Sequence, residues 1–160
     1  MKQHQVGNVL FGFDKEISLW VAERIPDFQP SQTAVSLGIV KDGDIVAGIV
    51  FENWNGVNIE ASIAADDKAW ANRETLFSVF HYPFNQLGCE AVTVLVASTN
   101  LKSLNLATKL GFEPEAMIKY AARDGSALIV LKMMKNNCKW IKCRGSDENH
   151  FSSQPLSVIE

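Results

Sequence analysis

The chain has 160 residues, 47% of them hydrophobic and 21% charged, with a formal net charge of -3 and a pI of 5.6. These values fit one globular domain with one core and exclude a largely disordered chain, which needs low hydrophobicity and high charge. They also speak against general nucleic-acid binding, which rests on a basic surface.

No apolar run reaches the roughly 20 residues of a bilayer span. The polar start from Met1 to Gln5 has no apolar stretch and no small-residue cleavage site. No signal peptide is expected, and a cytoplasmic location is the default. The cysteines are Cys89, Cys138 and Cys143, an odd number without framework spacing, which argues against a disulfide scaffold. Cys138 and Cys143 read either as a metal or redox pair or as two unpaired thiols. His150 is not at a usual finger spacing, so no metal site is assigned.

Residues 8–13 read as a short strand. Asp14 is the N-cap candidate for a helix through Arg24, with Ile17, Trp20, Val21 and Ile25 at helical spacing. Pro26 and Pro30 end it and open a loop. Residues 33–40 and 44–53 are strands joined by the turn Lys41-Asp42-Gly43-Asp44, and Asn55-Gly56 marks a second turn. In the third strand, residues 57–64, Val57, Ile59, Ala61 and Ile63 alternate with Asn58, Glu60 and Ser62, so the two sets face opposite sides of a sheet.

A helix is expected from Lys68 to Gln86, with Leu76, Phe77, Phe80 and Phe84 as its buried stripe. Pro83 predicts a kink or an early end, and Gly88 closes the element. Residues 90–97 form a strand whose apolar run implies burial on both faces. Thr99 or Asn100 caps the next helix, where Leu101, Leu104, Ala107 and Leu110 share a face and Gly111 ends it. Residues 116–122 and 127–134 are strands around the turn Arg123-Asp124-Gly125-Ser126. The polarity after this point sets a domain of residues 1–137 and a C-terminal tail of residues 138–160. The order β-α-β-β-β-α-β-α-β-β describes a mixed α/β layered domain of about seven strands. No Gly-x-Gly-x-x-Gly follows the first strand, so it is not a dinucleotide fold.

Two segments say more than the element order. One is residues 64–74, Ala-Ala-Asp-Asp-Lys-Ala-Trp-Ala-Asn-Arg-Glu. The other is residues 100–112, with Asn100 opening a helix, Ser103 three residues later and Lys-Leu-Gly-Phe at the end. Together they resemble the GNAT acyltransferase superfamily over residues 9–135, and most of all its branch like the ribosomal-protein N-terminal acetyltransferases. The resemblance implies a GNAT-like α/β fold with a mixed, mostly antiparallel central sheet flanked by helices.

It also implies acetyl-CoA as cofactor, with Ile63, Trp70, Ala71, Asn72, Arg73, Asn100, Ser103 and Lys109 at its site. The superfamily opens this cofactor helix with Arg or Gln, two residues, Gly, one residue, then Gly or Ala. Lys68, Ala71 and Arg73 stand at those places, so both glycines are absent. A subgroup has Trp, a small residue, a polar residue and Arg, as in Trp70-Ala71-Asn72-Arg73. The first N–H groups of a helix lack partners and carry partial positive charge, which suits a pyrophosphate. Arg73 either adds a charge-assisted bond there or is a solvated arginine paired with Asp67 or Glu74.

In relatives an Asn at the place of Asn100 contacts the pantetheine arm or orders the strand splay, though Asn100 is equally read as a plain N-cap. Ser103 is the candidate acid for the thiolate leaving group, or simply a small helix residue. Many relatives carry a tyrosine acid four positions later, where this chain has Ala107. A lysine-type amine has a pKa of about 10.4, so an acceptor for its proton helps at neutral pH. Relatives often place a carboxylate base where Glu60 stands, with Glu52 the second choice. Glu60 is otherwise a solvent-facing strand residue. His81 and Tyr82 read as packing or surface groups. Tyr120 could line an acceptor pocket, and so could Trp54, unless it is an exposed turn residue.

The function implied is transfer of an acetyl group from acetyl-CoA to a primary amine of a small molecule or protein. The rival is a non-catalytic acyl-CoA-binding or interaction domain on the same fold. A third reading, modification of nucleic-acid bases, is opposed by the acidic balance. No membrane partner is expected, a homodimer stays open, and the acceptor is set by loops 26–31 and 52–57, which vary without changing a fold.

Overall fold

The computed structural model describes residues 2–142. Strands β1 (His4–Val6) and β2 (Val9–Phe11) form a hairpin ahead of helix α1 (Asp14–Ala22). Strands β3 (Val35–Lys41), β4 (Asp44–Glu52) and β5 (Asn58–Ala65) follow, then helix α2 (Arg73–His81). Strand β6 (Ala91–Ala97), helix α3 (Leu101–Leu110), and strands β7 (Glu113–Ile118) and β8 (Leu128–Met134) complete the order. All eight strands lie in one sheet, ordered β1-β2-β3-β4-β5-β6-β8-β7. Only the β5–β6 pair is parallel.

The alternation along β4 and β5 sorts the core onto two faces. Ile49, Phe51, Ile59 and Ala61 meet Leu76, Val79 and Phe80 of α2, together with Ala107 and Leu110 of α3. Val50 and Ala64 turn the other way and meet Ile17 and Val21 of α1. Burying such a side chain is worth about 1.5–3 kcal/mol. Helix α1 comes this close because two strand positions under it lack a side chain. A Cβ on Gly38 would stand 2.5 Å from Ile17 Cδ1, and one on Gly48 2.6 Å from Val21 Cγ2.

The sheet has one strand more than expected. β1 is missing from the hydrophobic pattern because all three of its residues are exposed. Its contact with the domain includes the His4 ring stacked 4.7 Å from Phe11. Asp14 is not the N-cap of α1. Phe13 occupies that position, and the Asp14 carboxylate accepts the Ser36 amide at 2.8 Å, tying α1 to β3.

The long second helix is broken in two places. Residues Lys68–Trp70 make a 3-10 turn capped by Asp67, and α2 starts at Arg73 under an Asn72 cap that accepts the Thr75 amide at 2.9 Å. The early end expected at Pro83 is met: the α-helix stops at His81 and the chain widens into a π turn, Tyr82–Gln86, with Leu87 N–H bonded to the Tyr82 carbonyl at 3.0 Å. Phe77 faces solvent instead of joining the buried stripe, and Val79 takes its place. Leu101 is likewise exposed, so the buried face of α3 runs through Ala107 and Leu110.

The strand placed at 116–122 lies at Glu113–Ile118 instead. Its entire length is exposed, so burial contrast cannot mark its ends, and Tyr120 beyond it has φ 57° in the turn. The domain also continues past residue 137. Cys138 and Trp140 are each 1% exposed within the core, and Trp140 Nε1 donates to the Leu110 carbonyl at 2.7 Å. Polarity hid this because Lys139 and Lys142 flank the buried groups. Cys143, His150 and the rest of the tail lie outside the described residues.

Candidate functional site

The site grows from a defect in the sheet. β4 pairs with β5 as far as Ala65, and β6 pairs with β8 as far as Ala97. Between them, β5 and β6 pair only at Asn58–Ala91, Ile59–Val92 and Glu60–Thr93. Beyond Glu60 and Thr93 the two strands diverge while both continue. The facing backbone edges of residues 61–65 and 94–97 make no ladder bonds with each other, leaving a V-shaped split with polar walls.

Both helices that follow the split begin at its open end. Their first turns direct N–H groups and partial positive charge toward it. Asn72 and Asn100 each cap their own helix, Asn100 by accepting the Ser103 amide at 3.2 Å. Two carboxylates near this end are already engaged. Arg24, stacked 3.5 Å over the Trp20 ring, holds Asp66 through two bonds of 2.9 and 3.0 Å. That hydrogen bonding holds the Asp66 carboxyl below its usual range, and the charge of Lys102 on α3 acts in the same direction. Asp67 is held down by the Ala69 amide and then by Lys41, whose Nζ lies at 2.9 Å.

The root of the split carries a polar row. Glu60 and Glu52 stand directly opposite each other across β5 and β4. Like charges so placed are unfavourable unless donors or a cation share the site. Asn53 Nδ2 donates to Glu60 Oε1 at 3.0 Å, and the Ser31 amide donates to Glu52 Oε2 at 2.6 Å. On the same face Thr93 Oγ1 donates to Asn58 Oδ1 at 2.7 Å, and Lys132 Nζ reaches both. A cavity of about 300 Å³ opens beside Glu52 between Phe51, Trp54, Ile59 and Tyr82. Burial pushes the Tyr82 hydroxyl upward, so it stays protonated there.

No family model and no curated protein sequence matches the chain. Solved structures do match. An acetyltransferase of the GNAT family from Bacillus anthracis superposes with a TM-score of 0.60 at 15% identity, over 84% of this chain and 99% of that one. The spermidine N-acetyltransferase SpeG from Vibrio cholerae, in a point-mutant form, gives 0.57 at 17% identity, over 80% of this chain and 78% of that one. The Campylobacter jejuni N-acetyltransferase PseH, in complex with acetyl coenzyme A, gives 0.50 at 16% identity, over 66% and 70%. The fold is that of the GNAT acetyltransferases.

Within the GNAT fold the sequence-derived residues divide into three groups. Glu60 lies at the root of the split, and Ile63 on the diverging part of β5, with its side chain against the α2 core. Ala71, Asn72 and Arg73 stand at or before the first turn of α2, and Asn100 and Ser103 in the first turn of α3. Trp70 also precedes α2, but the residue is 3% exposed and its side chain packs in the core. Lys109 lies near the far end of α3, about 13 Å along the helix from Asn100. Ala107, where many relatives have a tyrosine, is buried.

Tyr120 is not brought to Glu60. It follows β7, three strands from β5, about 14 Å across the sheet. Trp54 does reach the cavity beside Glu52. His81 stacks on Phe77 at 5.3 Å and has a buried Nδ1 without a hydrogen-bond partner among the described residues. Burial pushes the Cys138 thiol up to about 11, which makes it a poor metal ligand or nucleophile. Among the described residues no group of three or more His, Cys, Asp or Glu is placed to hold a metal, and no helix is long and apolar enough to cross a membrane. Sequence reasoning missed Lys132, Thr93, Asn53 and Lys102. A signal for Lys132 was available: it is the lone charge in the apolar run Leu128-Ile-Val-Leu-Lys-Met-Met134.

Proposed function

We propose that this chain transfers an acetyl group from acetyl-CoA to a primary amine at the root of the split. The observation that carries the reading is the juxtaposition at one opening of two helix starts, an unpaired strand edge and a carboxylate. The helix starts Ala71–Arg73 and Asn100–Ser103 suit the pyrophosphate and the pantetheine arm, with Lys102 in the first turn of α3 beside them. Unpaired N–H groups on residues 61–65 suit the amide groups of the arm and the thioester carbonyl, whose oxygen gains charge as the amine attacks.

Glu60 then acts on the acceptor. An ammonium hydrogen-bonded to its carboxylate first gives one proton to Glu60, and the lone pair so freed then adds to the carbonyl carbon. As the C–S bond breaks the sulfur leaves as a thiolate, and the second proton shed by the acylated nitrogen reaches it through Ser103 or a water, so that neither relay group ends charged. Asn53 holds the Glu60 carboxylate in place through its bond of 3.0 Å. Glu52 doubles the negative charge beside the amine and is the reserve base. Residues 100–112 support the branch that resembles ribosomal-protein N-terminal acetyltransferases. The engaged Asp66 and Asp67 remove charge that would oppose a pyrophosphate.

A second reading has its own observation. Ala71 and Arg73 replace two glycines, and buried Ala107 replaces a tyrosine acid, which fits a domain that binds acyl-CoA without turning it over. Thiol release from acetyl-CoA in the presence of an amine panel separates the two. Amine-dependent release that collapses in Glu60→Gln supports transfer. Binding of acetyl-CoA with no amine-dependent release leaves the binding domain.

A further inference from the structure

Lys132 sits in β8 between Leu131 and Met133, which are buried on the opposite face. Its register partner on β7 is the acid Glu113, an obvious ion-pair mate. The ammonium turns the other way. It crosses β6, donates to Thr93 Oγ1 at 2.9 Å, and reaches Asn58 Oδ1 on β5 at 3.2 Å. Both partners are neutral, and among the described residues Lys132 forms no ion pair. An ammonium has three protons, so two bonds leave one unassigned. A half-buried cation held this way is pre-organised for an anion.

Asn58 and Glu60 are same-face neighbours on β5, two residues and about 7 Å apart. The row therefore offers a carboxylate and, one side-chain step away, a cation. We propose that Lys132 binds an anionic group of the acceptor, and that the acceptor is a zwitterion with a carboxylate a few bonds from its amine, as in a free amino acid. This rests on the acetyl-transfer reading above. Glu60 and Glu52 receive the ammonium and Lys132 the carboxylate. Thr93 and Asn58 keep the ammonium group of Lys132 from swinging out to Glu113. A polycation would find two acids at one end of the row but a fixed positive charge at the other.

The test uses the full chain, acetyl-CoA and pairs of amines that differ only in the carboxylate, such as lysine with cadaverine and tyrosine with tyramine. Initial rates of thiol release give kcat/KM for each member. The proposal expects the amino acid to exceed its decarboxylated partner by about 10–100-fold, the range for a hydrogen bond to a charged group. Lys132→Met should remove that preference by raising KM for the amino acid alone, and Lys132→Arg should keep most of it. Equal use of both members, or a Lys132→Met effect that falls alike on both, would overturn the subsite and leave acetyl transfer standing. The wild-type comparison decides even if Lys132→Met fails to fold. No transfer to any member, with acetyl-CoA bound, would overturn the transfer reading and the subsite with it.

Discussion

Glu60 on β5 and Thr93 on β6 form the last register pair before the two strands separate. The pair marks where a continuous sheet becomes a split, and it puts the candidate base at that boundary. A ligand threaded into the split from the helix starts would end beside this pair.

Glu60→Gln should lower turnover by about 10²–10⁴-fold, the usual contribution of a general base. Acetyl-CoA affinity should stay the same, because the carboxylate faces the acceptor and not the pyrophosphate. Raising the pH should restore part of the rate, since more of the amine is then already neutral. Steady-state kinetics across pH 6–9, roughly the span between carboxylate and amine titration, read both effects. Near-full turnover throughout would move the base to Glu52 or to a water.

Arg73→Ala should weaken acetyl-CoA binding by about 10–100-fold, corresponding to roughly 1.5–3 kcal/mol for a bond to a charged group. Titration calorimetry measures it directly. Unchanged affinity would return Arg73 to a role at the protein surface.

Trp140→Ala should destabilise the domain by about 3–5 kcal/mol, the range for truncating a buried aromatic. It empties a core position and strands the Leu110 carbonyl at the end of α3. Urea unfolding of the full chain tests this. A loss under about 0.5 kcal/mol, the scale of ordinary surface substitutions, would put residues 138–142 back in the tail.

Asp124 joins the start of α3 to the β7–β8 turn. It accepts from Ser126 and from Thr99 Oγ1, the latter at 2.6 Å, and these bonds, Ser126 first, lower its carboxyl from 3.8 to about 2. A depressed folded-state value stabilises above the unfolded value, and the contribution is lost as pH falls through the folded one. Wild type should therefore melt above Asp124→Asn at pH 5, and the gap should close between pH 3.8 and about 2. Melting curves at several pH values check it. A gap that does not depend on pH would assign the difference to something other than this carboxylate.

The order of elements was legible because β3, β4, β5 and β6 alternate or run apolar, and because turns such as Asp42-Gly43 separate them. β1 and β7 were harder, since a strand exposed on every residue carries no burial pattern. The start of α2 was misplaced because Asp67 and Asn72 are both good caps, and only the fold decides that the first closes a single turn. The face on which Glu60 lies was legible from its alternation with Ile59 and Ala61, while its candidacy as a base came from the family resemblance. Its company was not legible: Asn53, Thr93 and Lys132 come from other strands and meet only through register. Lys109 shows the converse, a residue whose helix is right but whose end of the helix is distant.

Thermal unfolding with and without acetyl-CoA bears most directly on the claim that the split is an acyl-CoA site. Ligand at about 100 times its dissociation constant adds about 2.7 kcal/mol to the folded state. For a domain of this size the melting point should rise by several degrees, on the order of 2–4 °C per kcal/mol. Free CoA should act in the same direction, and Arg73→Ala should shrink the shift. No shift with millimolar acetyl-CoA or CoA would contradict both the transferase and the binding-domain readings.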